Sequence, residues 1–151
     1  MMENEFIPHK EALALKELGL DEPCVGTYHD NNGGEIKFSF GMLQYPKRNS
    51  QANTVEGTFI GERGCYAPLY QQAFSFFREK DMWAEVKVED SVEIGTQKFY
   101  WLIFGEYKSL EGNGWVRALK DSNDVYYTTY EEAELACLRK LIEIVNQNKD
   151  E

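Results

Sequence analysis

Histidine and cysteine are scarce in this 151-residue chain, and positive charge is outweighed by negative. Its two histidines, His9 and His29, and three cysteines, Cys24, Cys65 and Cys137, form no C-x₂₋₄-C pair, so zinc-ligand spacing is lacking. An odd number of widely spaced thiols argues against a disulfide scaffold and suits a reducing cytoplasm. No apolar run approaches the roughly 20 residues that cross a bilayer. The opening MMENEFIPHK lacks the apolar stretch of a secretory signal. The expectation is a cytoplasmic protein with no membrane partner. Sixteen Lys and Arg stand against 26 Asp and Glu, a net charge of −10. Such a field repels DNA, RNA and anionic lipid, so direct nucleic-acid binding is not expected. A basic protein is the partner it attracts.

Recognisable chemistry is missing as well. Gly57, Gly61 and Gly64 lack both the Lys-Ser/Thr ending of a phosphate-binding loop and the dinucleotide fingerprint. Arg78-Glu79 matches half of a pyrophosphohydrolase helix, without its second glutamate pair. Cys65 precedes an expected helix, where a thiolate can be stabilised, but no base accompanies it at a readable spacing. The carboxylates read as solvated faces rather than an acid–base pair. The sequence therefore assigns no catalytic residue, no cofactor and no metal site.

What the chain does have is apolar and aromatic content, 42% and 14% of its residues. Ala12, Leu15 and Leu18 recur at helical spacing after Pro8, and Gly19 supplies a stop. Residues 24–29 read as a strand, 30–34 as a turn, and Ile36, Phe38 and Phe40 alternate as a second strand. A short strand is expected around 55–60. APLYQQAFSFFRE (67–79) reads as a helix starting at Pro68. Ala84, Val86 and Val88 alternate with charges, and 98–104 is the most β-prone run. A further strand falls at 115–119 or 125–128. Thr129 with Glu132 forms a capping box for the last helix, with Thr128 and Glu131 as the alternative register. The order is αββ(β)αββ(β)α. It predicts one α+β domain over 1–151, an antiparallel sheet built from hairpins and packed against two or three helices. Residues 44–54 read as a mobile loop and 146–151 as a frayed tail. In the expected core, Ala133, Cys137, Leu138, Leu141, Ile142 and Val145 cover Phe99, Trp101, Ile103 and Phe76 or Phe77.

Helix, strands and helix over 67–145 follow the order of a double-stranded-RNA-binding domain. Where that module sets lysines on phosphate, this chain has Glu131, Glu132 and Glu134, which defeats RNA binding. Aromatics at element ends are the remaining signal. Tyr66, Tyr70 and Trp115 are the candidate anchors of a protein interface, with Glu131, Glu132 and Glu134 as its acidic rim. The enzymatic alternative is a small nucleotide-binding or nucleotide-hydrolysing protein, with Lys47, Arg48 and Arg63 on phosphate and carboxylates on Mg²⁺. A structural homodimer burying its aromatics is the third reading.

Three blocks, FIPHKEALALKELGLDEPCVGTY (6–28), APLYQQAFSFFREK (67–80) and YTTYEEAELACLRKLIEIV (127–145), resemble a family of hypothetical proteins common in phages and prophages of Bacteroidetes. The resemblance implies a phage-related origin and expression inside a bacterial cell. It carries no catalytic residues. With the charge and the aromatics it points to an accessory protein that binds a host or phage protein, as an acidic inhibitor or nucleic-acid mimic.

Overall fold

In the computed structural model, residues 2–30, 34–44, 54–55, 58–59, 62–90, 97–105, 117–121 and 125–149 are described. They belong to two compact units, Met1–Ala73 and Phe74–Glu151, whose division falls inside a helix.

The first unit begins with a 3₁₀ turn, Met2–Glu5, and helix α1, His9–Leu18. Pro8 stands just outside α1 as its N-cap, and its carbonyl accepts from the Ala12 N–H. Gly19 ends the helix at φ +100°, with its N–H on the Lys16 carbonyl and the Leu20 N–H on the Leu15 carbonyl. This is the left-handed stop expected of glycine there. Ala12, Leu15 and Leu18 are buried, and α1 packs on a strand of the unit's sheet.

That sheet contains β1 (Cys24–Asp30), β2 (Ile36–Gln44) and β5 (Cys65–Ala67), in the order β2-β1-β5 with antiparallel neighbours. Between β2 and β5 lie β3 (Thr54–Val55) and β4 (Thr58–Phe59), paired as a minimal hairpin. Most of the expected mobile loop, residues 45–53, lies outside the described residues. Phe6 and Ile7 fasten the N-terminus down. Phe6 bridges to Leu69, the Ile7 N–H donates to the Pro68 carbonyl at 2.8 Å, and the Tyr28 hydroxyl donates to the Ile7 carbonyl at 2.7 Å.

Helix α2 is Tyr70–Arg78, so it starts later than its sequence suggests. Ala67 is a strand residue, held opposite Gly26 by the β1–β5 ladder. Gln72 then reaches back to accept from the Leu69 N–H at 3.0 Å, half of a capping box that fixes the start. After α2, Asp81 takes a left-handed conformation, φ 61°, which a short polar side chain tolerates.

The second unit carries the sheet β6-β7-β8: β6 is Met82–Asp90, β7 Gln97–Gly105 and β8 Arg117–Asp121. β6 and β7 pair antiparallel without interruption from Met82↔Gly105 to Asp90↔Gln97. β8 pairs with β7 across a register shift between Ile103 and Phe104. Tyr127 also bridges Phe99, so both stretches proposed as the further strand meet β7. Helix α3, Tyr130–Lys149, packs on β7 and β6. Its start follows the capping box. The Glu132 N–H donates to Thr129 Oγ1 at 3.2 Å, while the Glu132 carboxylate accepts from the Thr128 N–H at 3.3 Å.

Ala133, Cys137, Leu138, Leu141 and Ile142 are buried as expected, with Trp101, Ile103, Phe76 and Phe77; Val145 and Phe99 are half-buried. The helix continues through 146–149, where fraying was expected, and Gln147 there donates to Glu143 at 3.1 Å. The α+β class read from the sequence is the observed one, with antiparallel pairs divided among two three-stranded sheets and the hairpin.

Candidate protein-binding face

Strand pleating sorts the side chains of the second sheet. Met82, Ala84, Val86 and Val88 lie on one side with Phe99, Trp101, Ile103 and Gly105 of β7. Buried Trp101 and Ile103 mark this as the side under α3. The opposite side carries Trp83, Glu85, Lys87 and Glu89 of β6 beside Phe104, Leu102, Tyr100 and Lys98 of β7. Trp83 is 55% exposed. Phe104, Leu102 and Tyr100 are half-buried, whereas the charged residues are exposed. Tyr126, 45% exposed, sets its ring edge against Tyr100 at 6.3 Å between centroids. Lys98 Nζ sits over the Tyr126 ring at 5.4 Å, a cation–π contact.

An aromatic and aliphatic stripe therefore runs over one sheet face, rimmed by two acidic and two basic side chains. A tryptophan in water beside half-covered aromatics is the composition from which interface anchors are drawn. Position parity was the signal that could have found it. Trp83 shares its side of β6 with Glu85, Lys87 and Glu89, the residues that must face water.

The residues singled out in the sequence are placed differently. Tyr70 is only 8% exposed, and so cannot serve as a surface anchor. Packing of α2 turns it inward. Tyr66 is half-buried on β5, and burial, with Cys24 nearby, raises its hydroxyl above the ordinary tyrosine range. Trp115, Lys47 and Arg48 lie outside the described residues.

Arg63 is committed to structure. Its Nε and Nη2 donate to the two oxygens of Asp30 at 3.0 and 2.9 Å, and its backbone N–H adds a third bond at 3.1 Å. Nη2 also donates to the Gly34 carbonyl at 2.8 Å. This buried carboxylate at the end of β1 holds the guanidinium that the nucleotide reading set on phosphate. Such bidentate pairing fixes geometry.

Glu131, Glu132 and Glu134 do share the first turns of α3. Glu131 is exposed, Glu132 is engaged in the cap, and Glu134 is half-buried. Tyr130 beside them meets Phe99 edge-on at 6.2 Å, on the helix side of the sheet. The rim therefore does not border the aromatic stripe. Burial, and then the charge of Glu131, raises the Glu134 carboxyl above its ordinary range. A raised acid binds its proton more readily in the folded chain, so this group's contribution to stability is present at acid pH and lost as pH rises through its titration. Glu134→Gln is expected to unfold at a higher temperature than wild type at pH 7. The gain is about a few tenths of a kcal/mol, since water screens the half-exposed group, and it vanishes under acid conditions. Paired thermal melts at the two pH values check this, and an unchanged or lower midpoint at pH 7 contradicts it.

Cys24, Cys65 and Cys137 are buried, and burial pushes each thiol up to about 12. They stay protonated near neutrality, and Cys65 stands in a strand rather than at a helix start. Among the described residues, no group of three or more His, Cys, Asp or Glu is placed to hold a metal ion. Among them too, no helix is long and apolar enough to cross a membrane. Comparison of the chain with protein-family models, curated proteins and solved structures finds no match.

Proposed function

We propose that this chain is a phage-derived accessory protein that acts inside a bacterial cell by binding a host or phage protein. The observation that carries this reading is the stripe of Trp83, Phe104, Leu102, Tyr100 and Tyr126 on the open face of the second sheet. Trp83 and Tyr126 supply area to be desolvated at little cost in side-chain entropy. Glu85, Lys87, Glu89 and Lys98 form the polar rim that fixes register. The net charge of −10 acts over a longer range, speeding encounter with a basic partner. The resemblance to phage proteins supports the cellular setting.

Affinity capture from lysate of a Bacteroidetes host tests it, with wild type and Trp83→Ala/Tyr126→Ala as parallel baits. Both side chains are about half exposed, so the double variant keeps its core. A partner held by wild type is expected to bind the variant roughly 30-fold more weakly or worse, the scale of losing one interface anchor. Equal recovery by both baits removes the aromatic face from the interface.

A further inference from the structure

We propose that the chain forms a two-fold dimer by pairing β6 with the β6 of a second copy, antiparallel and centred on Val86. The outer edge of this strand is the starting point. β6 has β7 on one side and, among the described residues, no strand on the other. Nine residues run along it without proline, glycine or bulge. Unpaired N–H and C=O groups in such a row template a further strand.

Charge and strand length together fix the register. Within the sheet, Glu89 lies opposite Lys98, an opposite charge, but Glu85 lies opposite Leu102 and Lys87 opposite Tyr100. Charge complementarity for these two comes from the outer side or from each other. Lys87 Nζ is 3.4 Å from Glu85 Oε2 along the strand, with both side chains about half exposed. Pairing centred on Val86 sets Glu85 against the second copy's Lys87 and Lys87 against the second copy's Glu85. The four groups then alternate in sign. Centring on Lys87 instead sets Lys87 against itself and Glu85 against Glu89, and centring on Glu85 sets Glu85 against itself. Like charges directly opposite destabilise a sheet pair, so both alternatives are rejected. Centring on Val88 also opposes Lys87 and Glu89, but it leaves residues 82–85 overhanging the pair.

The same register aligns the strand from end to end, with Trp83 against Glu89 and Met82 against Asp90 at its two ends. Val86 is the midpoint of Met82–Asp90, so the whole strand pairs with no overhang. On the side under α3, Val86 meets Val86 and Ala84 meets Val88, covering a valine that is 47% exposed in the single chain. Because the two-fold axis stands perpendicular to the sheet, both aromatic stripes share one side of a six-stranded sheet. The dimer needs no other protein, so it stands apart from the partner reading above.

Sedimentation equilibrium on the full chain tests it with Glu85→Lys, Lys87→Glu, their equimolar mixture, and the double swap. Wild type is expected to dimerise. Each single reversal turns both opposite-charge pairs into like-charge pairs and weakens self-association by about tenfold or more. The mixture restores a heterodimer, since its 85 and 87 positions become complementary again, and the double swap restores the homodimer. A wild type that stays monomeric to high micromolar concentration overturns the proposal. So do single reversals that dimerise like wild type, or a mixture without rescue.

Discussion

Truncating Leu141 to alanine is expected to destabilise the protein by about 2–5 kcal/mol. Leu141 is fully buried on α3, on the ridge shared with Ala133, Cys137, Leu138 and Ile142. The helix lays this ridge on β7 and β6, where Trp101 and Ile103 are buried. Removing the isobutyl group loses its transfer free energy and leaves a cavity that the sheet below closes only in part. A denaturant titration should move its midpoint down with the slope unchanged, because the unfolded chain exposes nearly the same surface. Asn148→Ala, at an exposed position of the same helix, is the matched control and should shift little. A loss below about 0.5 kcal/mol for Leu141→Ala puts that side chain at the surface and dismantles the packing of α3 on the sheet.

This helix was also the most legible element of the sequence, for a physical reason. Its cap, its apolar ridge and its length are local, and all three agree. The same holds for α1, where Gly19 marks a stop that only a left-handed residue makes well. Strand β7 was legible because four aromatic residues crowd it beside Leu102 and Ile103. Local pattern failed at residues 67–69, where a good helical sequence is overridden by a strand partner about 40 residues earlier. The β1–β5 ladder claims Ala67, and only then can α2 begin.

The site was read less well, because exposure depends on which side of an element a residue occupies. Tyr70 and Trp83 both stand at element ends, yet Tyr70 is buried and Trp83 lies in water. For Trp83 the parity of charges along β6 carried the answer; for Tyr70 the inward side of α2 was set by packing. Arg63 gave no sign of its role. Its partner Asp30 lies 33 residues away and is reached only through the fold.

Gly26→Ala is expected to destabilise the protein by about 1–3 kcal/mol, against the usual sign of this exchange. In a strand interior alanine ordinarily gains over glycine, since it loses less backbone freedom on folding. Gly26 lies in the middle of β1, opposite Ala67 on one side and Phe40 on the other. A Cβ built there comes within 2.7 and 2.8 Å of Phe6 Cε1 and Cδ1 and 2.9 Å of the Ala67 Cβ. Neither neighbour can give way freely. The Ala67 methyl moves only with the backbone of β5, which the ladder holds. The Phe6 ring packs at a tilt against Phe38, 4.9 Å between centroids, while its backbone bridges Leu69. The glycine therefore provides the close approach by which the N-terminal segment lies over the sheet, rather than a turn. Phe6→Leu separates the two contacts. If the ring is the main obstacle, the loss caused by Gly26→Ala is smaller in the Phe6→Leu background, and the two changes are non-additive. A full loss in both backgrounds assigns the clash to Ala67. A neutral or stabilising Gly26→Ala in wild type contradicts the packing of Phe6 on β1.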